Sequence, residues 1–266
     1  MRVALLLAYD GGAYHGWQVQ PGARTIQGLL VTALGRLVGE GVKLTGASRT
    51  DAGVHALGQV ATFDTPRSLA PATIQAALNA NLPTDIRVLA AASVRPGLDA
   101  RRSARLKRYG YLIHAGPVPL PFLRAHVWHV GRPLDAAAMG AAFRVIRGTH
   151  DFSAFCAAGG RGRPPTCTLF AVRLVRRGSL LGLVVSADAF LHHMVRNLVG
   201  TAVEVGLGRR PSASLGDVLA TRDRRQAGPT APAHGLHLLS VRYPEPLFPG
   251  GGRRVPGGLR RSVPGP

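Results

Sequence analysis

The period of the apolar residues changes several times along the chain, and each change marks an element. Residues 3–9 are an apolar run ending at Asp10-Gly11-Gly12, which predicts a buried strand and a loop through Trp17. The glycines of that loop lack the spacing of a dinucleotide-binding turn. From Thr25, the residues Ile26, Leu29, Leu30, Ala33, Leu34, Leu37 and Val38 recur at three and four, predicting a helix capped by Thr25 and stopped by Gly39. Residues 42–45 and 59–64 read as strands, so the segment between them is a connection exposed at one edge of a sheet. Pro71 opens a second helix that ends before Pro83, and residues 86–94 return as a strand.

The same style continues downstream. Residues 106–114 and 126–130 read as strands, Asp135 caps a helix through Arg147, and residues 169–175 and 181–187 form a hairpin around Arg177-Gly178. A long helix over 190–205 carries the stripe Leu191, Met194, Val195, Leu198, Val199, Ala202 and Val203, which puts His193, Arg196 and Asn197 on or near the other face. Strands followed by helices, twice over, predict an α+β protein of two halves whose sheets join. We place the halves at 1–105 and 106–244. A Pro/Gly/Arg-rich tail over 245–266 has too little apolar surface to order itself, and its Arg253, Arg254, Arg260 and Arg261 would attract phosphate.

Charge changes the picture more than composition does. With 33 Lys+Arg against 13 Asp+Glu, the net charge is +20, which favours polyanionic partners, nucleic acid ahead of an anionic membrane. Nearly all the cations are arginine, either because its planar fork suits phosphate or because a GC-rich genome writes arginine for lysine. Cys156 and Cys167 have neither disulfide-framework nor zinc spacing, so a reduced, cytoplasmic setting is expected. No run is long and apolar enough to predict a membrane segment.

In so acid-poor a chain, Asp51 in Gly46-Ala-Ser-Arg-Thr-Asp-Ala-Gly-Val-His55 stands out. It is either an ordinary turn residue or a functional acid. Ser48, Asp51 and His55 do not make a hydrolase triad, because all three share one loop without a nucleophile elbow. His126-x-x-His129 and His192-His193 have no completing acid or cysteine, and adjacent histidines are expected to point apart, so no metal site is predicted. Arg101, Arg102, Arg105, Lys107 and Arg108 precede Tyr109 and Tyr111, which share one strand face. Cations beside rings suit an RNA groove, while a solvated strand edge over core tyrosines is the plainer reading.

Six segments taken together resemble the tRNA pseudouridine synthase A (TruA) family: Tyr9-Asp10-Gly11 to Gly16-Trp17-Gln18, Arg49 to His55, Asn79-Ala-Asn-Leu-Pro83, Arg108-Tyr109, Phe190 to Gly200, and Thr230-Ala-Pro232. The resemblance implies two related halves whose mainly antiparallel sheets join into one extended sheet, with helices on one face and an active-site cleft between the halves. It implies isomerisation of uridine to pseudouridine in the tRNA anticodon arm, at conventional positions 38, 39 and 40, by a homodimer without cofactor or catalytic metal. Asp51 is then the essential carboxylate, and Arg49 helps hold the RNA with its target base displaced. Tyr109 packs on that base, Arg196 pairs with the carboxylate, and His55, Arg101, Lys107 and Arg108 are further substrate contacts.

Ser48, Val19 and Arg102 depart from that pattern, where glycine, a basic residue and an aromatic are usual, which bears on the RNA contacts. A serine in place of glycine is strained if the backbone there has positive φ. Two rival readings remain at this level. One is a non-catalytic RNA-binding or chaperone protein on the same fold; the other is a metal-dependent nucleic-acid hydrolase, which the scarcity of carboxylates disfavours.

Overall fold

The computed structural model describes residues 1–39, 41–157 and 164–248. Ten strands form one sheet: β1 (Arg2–Tyr9), β2 (Thr45–Gly46), β3 (His55–Asp64), β4 (Ile86–Val94), β5 (Leu106–His114), β6 (Trp128–His129), β7 (Gly148–Asp151), β8 (Thr166–Arg177), β9 (Leu180–Ala187) and β10 (Leu236–Arg242). Their order is β4-β1-β3-β10-β5-β9-β8-β7, with β2 also on β3 and β6 also on β5. Pairing is antiparallel except for β3 with β10 and β5 with β6. The helices are α1 (Ile26–Val38), α2 (Pro71–Asn81), α3 (Ala136–Arg144), α4 (Met194–Gly206) and α5 (Ser214–Thr221). The fold is therefore α+β, with helices against one face of a large, mostly antiparallel sheet.

Alternation along β1 explains the layering. Val3, Leu5, Leu7 and Tyr9 enter the main core with Ile26, Leu30 and Leu34 of α1 and Ile74 and Leu78 of α2. Ala4 and Leu6 face the opposite side, where a small cluster with Val60 and Ala92 is covered by Tyr243, Leu247 and Phe248. Phe248 thus packs within the first residues of the expected tail. The remainder of that tail, 249–266, lies outside the described residues.

Several expectations are corrected. β3 is an interior strand, bounded by β1 on one side and by β2 and β10 on the other, so the loop before it opens at the middle of the sheet and not at an edge. Of residues 42–45 only Thr45 joins a ladder, because the Leu44 carbonyl accepts from Gln27 Nε2 at 2.8 Å instead of from a strand. Of residues 126–130 only Trp128 and His129 pair with β5. α3 stops at Arg144, three residues early, and α4 starts at Met194, four residues late. α4 is buried nearly all round, Asn197 included.

Candidate active site

The loop between β2 and β3 presents Asp51, and it is held at several points. Thr50 accepts from the Trp17 amide at 3.0 Å through its carbonyl, and its hydroxyl meets Tyr9 Oη at 2.8 Å. Gln59, fully buried on β3, donates from Nε2 to the Ser48 carbonyl at 2.6 Å and accepts the Ser48 amide at 3.2 Å. The approach of the preceding loop requires Gly16: at φ +84° a side chain there would be strained, and its Cβ would stand 2.7 Å from the Thr50 carbonyl oxygen. These bonds fix the backbone that carries the carboxylate.

Across the cavity, Arg196 in the first turn of α4 places Nη1 3.2 Å from Asp51 Oδ2. Its Nε donates to the Ala231 carbonyl at 2.7 Å, and the Ala231 amide donates back to the Arg196 carbonyl at 3.1 Å, so the guanidinium is anchored from its far side. Asp51 is half-buried. His193 and His192 set Nε2 atoms 3.4 Å and 3.7 Å from its two oxygens, with their own rings 4.0 Å apart. The expectation that these histidines point apart fails because His193 takes a left-handed conformation, φ 60°, immediately before α4. Burial pushes the His193 imidazole below its usual pKa, while Asp51 opposes the shift.

Tyr109 lies on β5 with its hydroxyl 2.8 Å from Ser48 Oγ and its ring edge-on to Phe190 at 5.1 Å. Burial drives its phenol well above the ordinary range, and the Ser48 bond only partly offsets this, so the hydroxyl stays protonated. Ser48 has no positive φ, so replacing glycine there costs no backbone strain and adds this bond. Tyr111, on the same face, instead donates to the Pro232 carbonyl at 2.7 Å.

Asp51, Arg196, Tyr109, Arg49, Arg101 and Lys107 all line one cavity of about 830 Å³. Neither Arg49 nor Arg101 has an acidic partner among the described residues. Both also line an adjoining depression of about 400 Å³, where Val19 stands. Two named residues lie elsewhere. Arg108 alternates to the opposite side of β5 from Lys107 and Tyr109, and donates to Ser186 Oγ at 3.3 Å. His55 is buried beside His126 and His237, away from the cavity.

Residues that local sequence reasoning missed as site members are His192, His193, Phe190 and Ser48. In the sequence His192-His193 reads as an incomplete metal pair and Ser48 as a rejected triad member and a departure bearing on RNA contacts, whereas Phe190 is signalled only by its place in the Phe190–Gly200 segment. Among the described residues, two clusters bring metal-capable atoms within 4.8 Å of one another: Asp51 with His192 and His193, and His55 with His126 and His237. No described helix is long and apolar enough to cross a membrane.

A family model described as tRNA pseudouridine synthase matches residues 6–100 and 142–244. The tRNA pseudouridine synthase A of Chloroflexus aurantiacus is 47% identical over 252 residues, covering 92% of this chain and 90% of its own length. That of Myxococcus xanthus is 45% identical over 264 residues, covering 97% and 96%. That of Moorella thermoacetica is 45% identical over 241 residues, covering 90% and 98%.

Proposed function

From the premise that this chain belongs to the tRNA pseudouridine synthase A family and is a tRNA pseudouridine synthase, we propose that it isomerises anticodon-arm uridines 38, 39 and 40 with Asp51 as the essential carboxylate. The reaction breaks the bond from C1′ to N1, turns the uracil, and joins C1′ to C5, with one proton leaving C5 and one taken up at N1. Nothing is gained or lost overall, so no redox carrier or energy source is needed. Glycosidic cleavage develops positive character at C1′, which a nearby carboxylate stabilises or bonds. One acid suffices, because the leaving base stays in the pocket and returns.

The observation that carries this reading is the convergence of Asp51, Arg196 and Tyr109 in one cavity, with 3.2 Å between the acid and the guanidinium. Arg196, anchored on the Ala231 carbonyl, aims the carboxylate. Tyr109 packs on the extruded uracil and keeps water from the activated sugar. Arg49, Arg101 and Lys107 hold the backbone, repaying the few kcal/mol, roughly, of unstacking a base from a stem. His55 and Arg108 act from outside the pocket, His55 by packing behind the Asp51 loop. The working unit is read as a cytoplasmic homodimer without cofactor. Its halves are 1–105 and 106–244, a division supported by β4 and β7 at opposite ends of the sheet.

Release of tritium from tRNA labelled at uridine C5 tests the assignment. Asp51→Asn keeps the shape and removes the charge, so it retains tRNA binding and loses turnover. Undiminished release by Asp51→Ala would falsify the mechanism, and tight tRNA binding by a wild-type protein with no release would favour the non-catalytic RNA binder.

A further inference from the structure

We propose that His55, His126 and His237, with the carboxylate of Asp10, form a binding site for a divalent first-row transition metal ion of the zinc type, where β3, β10 and β5 meet. His55 opens β3, and His237 faces it across the parallel pairing with β10, their rings stacked at 4.9 Å and 20°. His126, just before β6, brings its ring to 4.6 Å from His55 and 6.1 Å from His237. One ring nitrogen from each lies within 4.8 Å of the other two. A tetrahedral ion with bonds of about 2.0 Å separates its nitrogens by about 3.4 Å, so closure by little more than an ångström completes the set.

Asp10 stands against two of the three histidines, outside the 4.8 Å group itself, and would complete the set as a fourth ligand. Its Oδ1 stands 3.0 Å from His55 Nδ1 and its Oδ2 3.5 Å from His126 Nε2. The Gly11 amide donates to that same His55 Nδ1 at 3.1 Å, and the Gly12 amide to Asp10 Oδ1 at 2.9 Å. The single lone pair of Nδ1 is taken by the Gly11 amide here, so an ion bound at that nitrogen displaces this bond and gains the Asp10 carboxylate beside it. Donation from His237 Nδ1 to the Gly235 carbonyl at 3.1 Å leaves its Nε2 lone pair for an ion. His55 is 2% exposed and its Nε2 makes no hydrogen bond. Imidazole nitrogens select zinc, copper or nickel over magnesium or calcium.

None of the three histidines lines the Asp51 cavity. The ion would tie the loop after β1, the start of β3, the segment before β6 and the start of β10. Because His55 lies four residues beyond Asp51, it would anchor the downstream end of the catalytic loop.

The test is titration of the chelator-treated full chain with Co2+ and Zn2+ in a His192→Ala background, which removes the other such cluster among the described residues. One cobalt per chain is expected, with the visible bands of a tetrahedral nitrogen-oxygen site and a raised Tm. His126→Ala and His237→Phe should each weaken binding at least tenfold and abolish the bands. His126 is 40% exposed in its side chain, so His126→Ala decides the question even if His237→Phe folds poorly. Cobalt affinity unchanged by His126→Ala, or uptake lost through His192→Ala alone, overturns the proposal.

Discussion

Replacing Arg196 with methionine keeps most of the side chain's length and apolar bulk while removing the charge opposite Asp51. At 3.2 Å, and with an effective dielectric of about 20, the gross attraction between the two groups is about 5 kcal/mol. Solvent reaches both partners, whose side chains are 14% and 22% exposed, so the net loss of stability is smaller, about 1–3 kcal/mol. A fold of ordinary stability survives that loss at 25 °C. Catalysis suffers more, because the carboxylate loses the group that aims it while the Ala231 carbonyl loses its donor. By analogy with removing one preorganised electrostatic partner, single-turnover tritium release should fall about 10²- to 10³-fold. Arg196 faces the acid and not a phosphate site, so filter-binding affinity for tRNA should stay within about threefold. Arg196→Lys keeps the charge but cannot hold Asp51 and Ala231 with one fork, and should fall between. Release within fivefold of wild type, or a loss fully accounted for by weaker tRNA binding, would refute the pairing argument.

Ser48→Ala removes the bond to Tyr109, a net contribution of about 0.5–1.5 kcal/mol, and should slow single-turnover release by about three- to tenfold with tRNA affinity unchanged; an unaltered rate would show that Tyr109 is held without it. In chelator-treated protein, burial lowers His237 from 6.5 to about 4, so the unfolded chain takes the proton first. Stability is then unaffected above about pH 6.5 and falls as pH drops through this window, by about 3 kcal/mol at pH 4 from this residue. Urea unfolding at pH 7 and pH 4.5 should show that part of the fall missing in His237→Gln, and equal pH dependence in the two proteins would contradict it. If Arg49, Arg101 and Lys107 each neutralise a phosphate, tRNA affinity should fall about twenty- to fortyfold between 50 and 200 mM salt, and a flat response in filter binding would remove them from the interface.

The elements legible in the sequence were those whose two sides meet different surroundings. α1 was readable from its apolar spacing, its Thr25 cap and its Gly39 stop, and α2 from the prolines that bracket it. Both ends of β4 and β5 matched expectation because each run is interrupted by turn residues or a basic segment. β10 went unread for the opposite reason. Leu236, His237 and Leu238 are all buried between β3 and β5, so no polar face alternates with an apolar one, and a single histidine inside the run hides its strand character. α4 was placed too early because its apolar stripe continues backwards through Leu191, while His193 turns left-handed and breaks the helix there.

The seam made by β10 is what local reasoning lacked for the site as well. Asp51 and Arg196 are 145 residues apart, and nothing in the chemistry of either segment says that they meet. The parallel pairing of β10 with the start of β3, and its antiparallel pairing with β5, bring the loop carrying Asp51 beside Tyr109. The turn Thr230-Ala231-Pro232, just before β10, then secures Arg196 through Ala231 and Tyr111 through Pro232. A strand without catalytic side chains thereby sets the distance between acid and cation. Disruption of the seam should accordingly reduce turnover even where every pocket residue is intact.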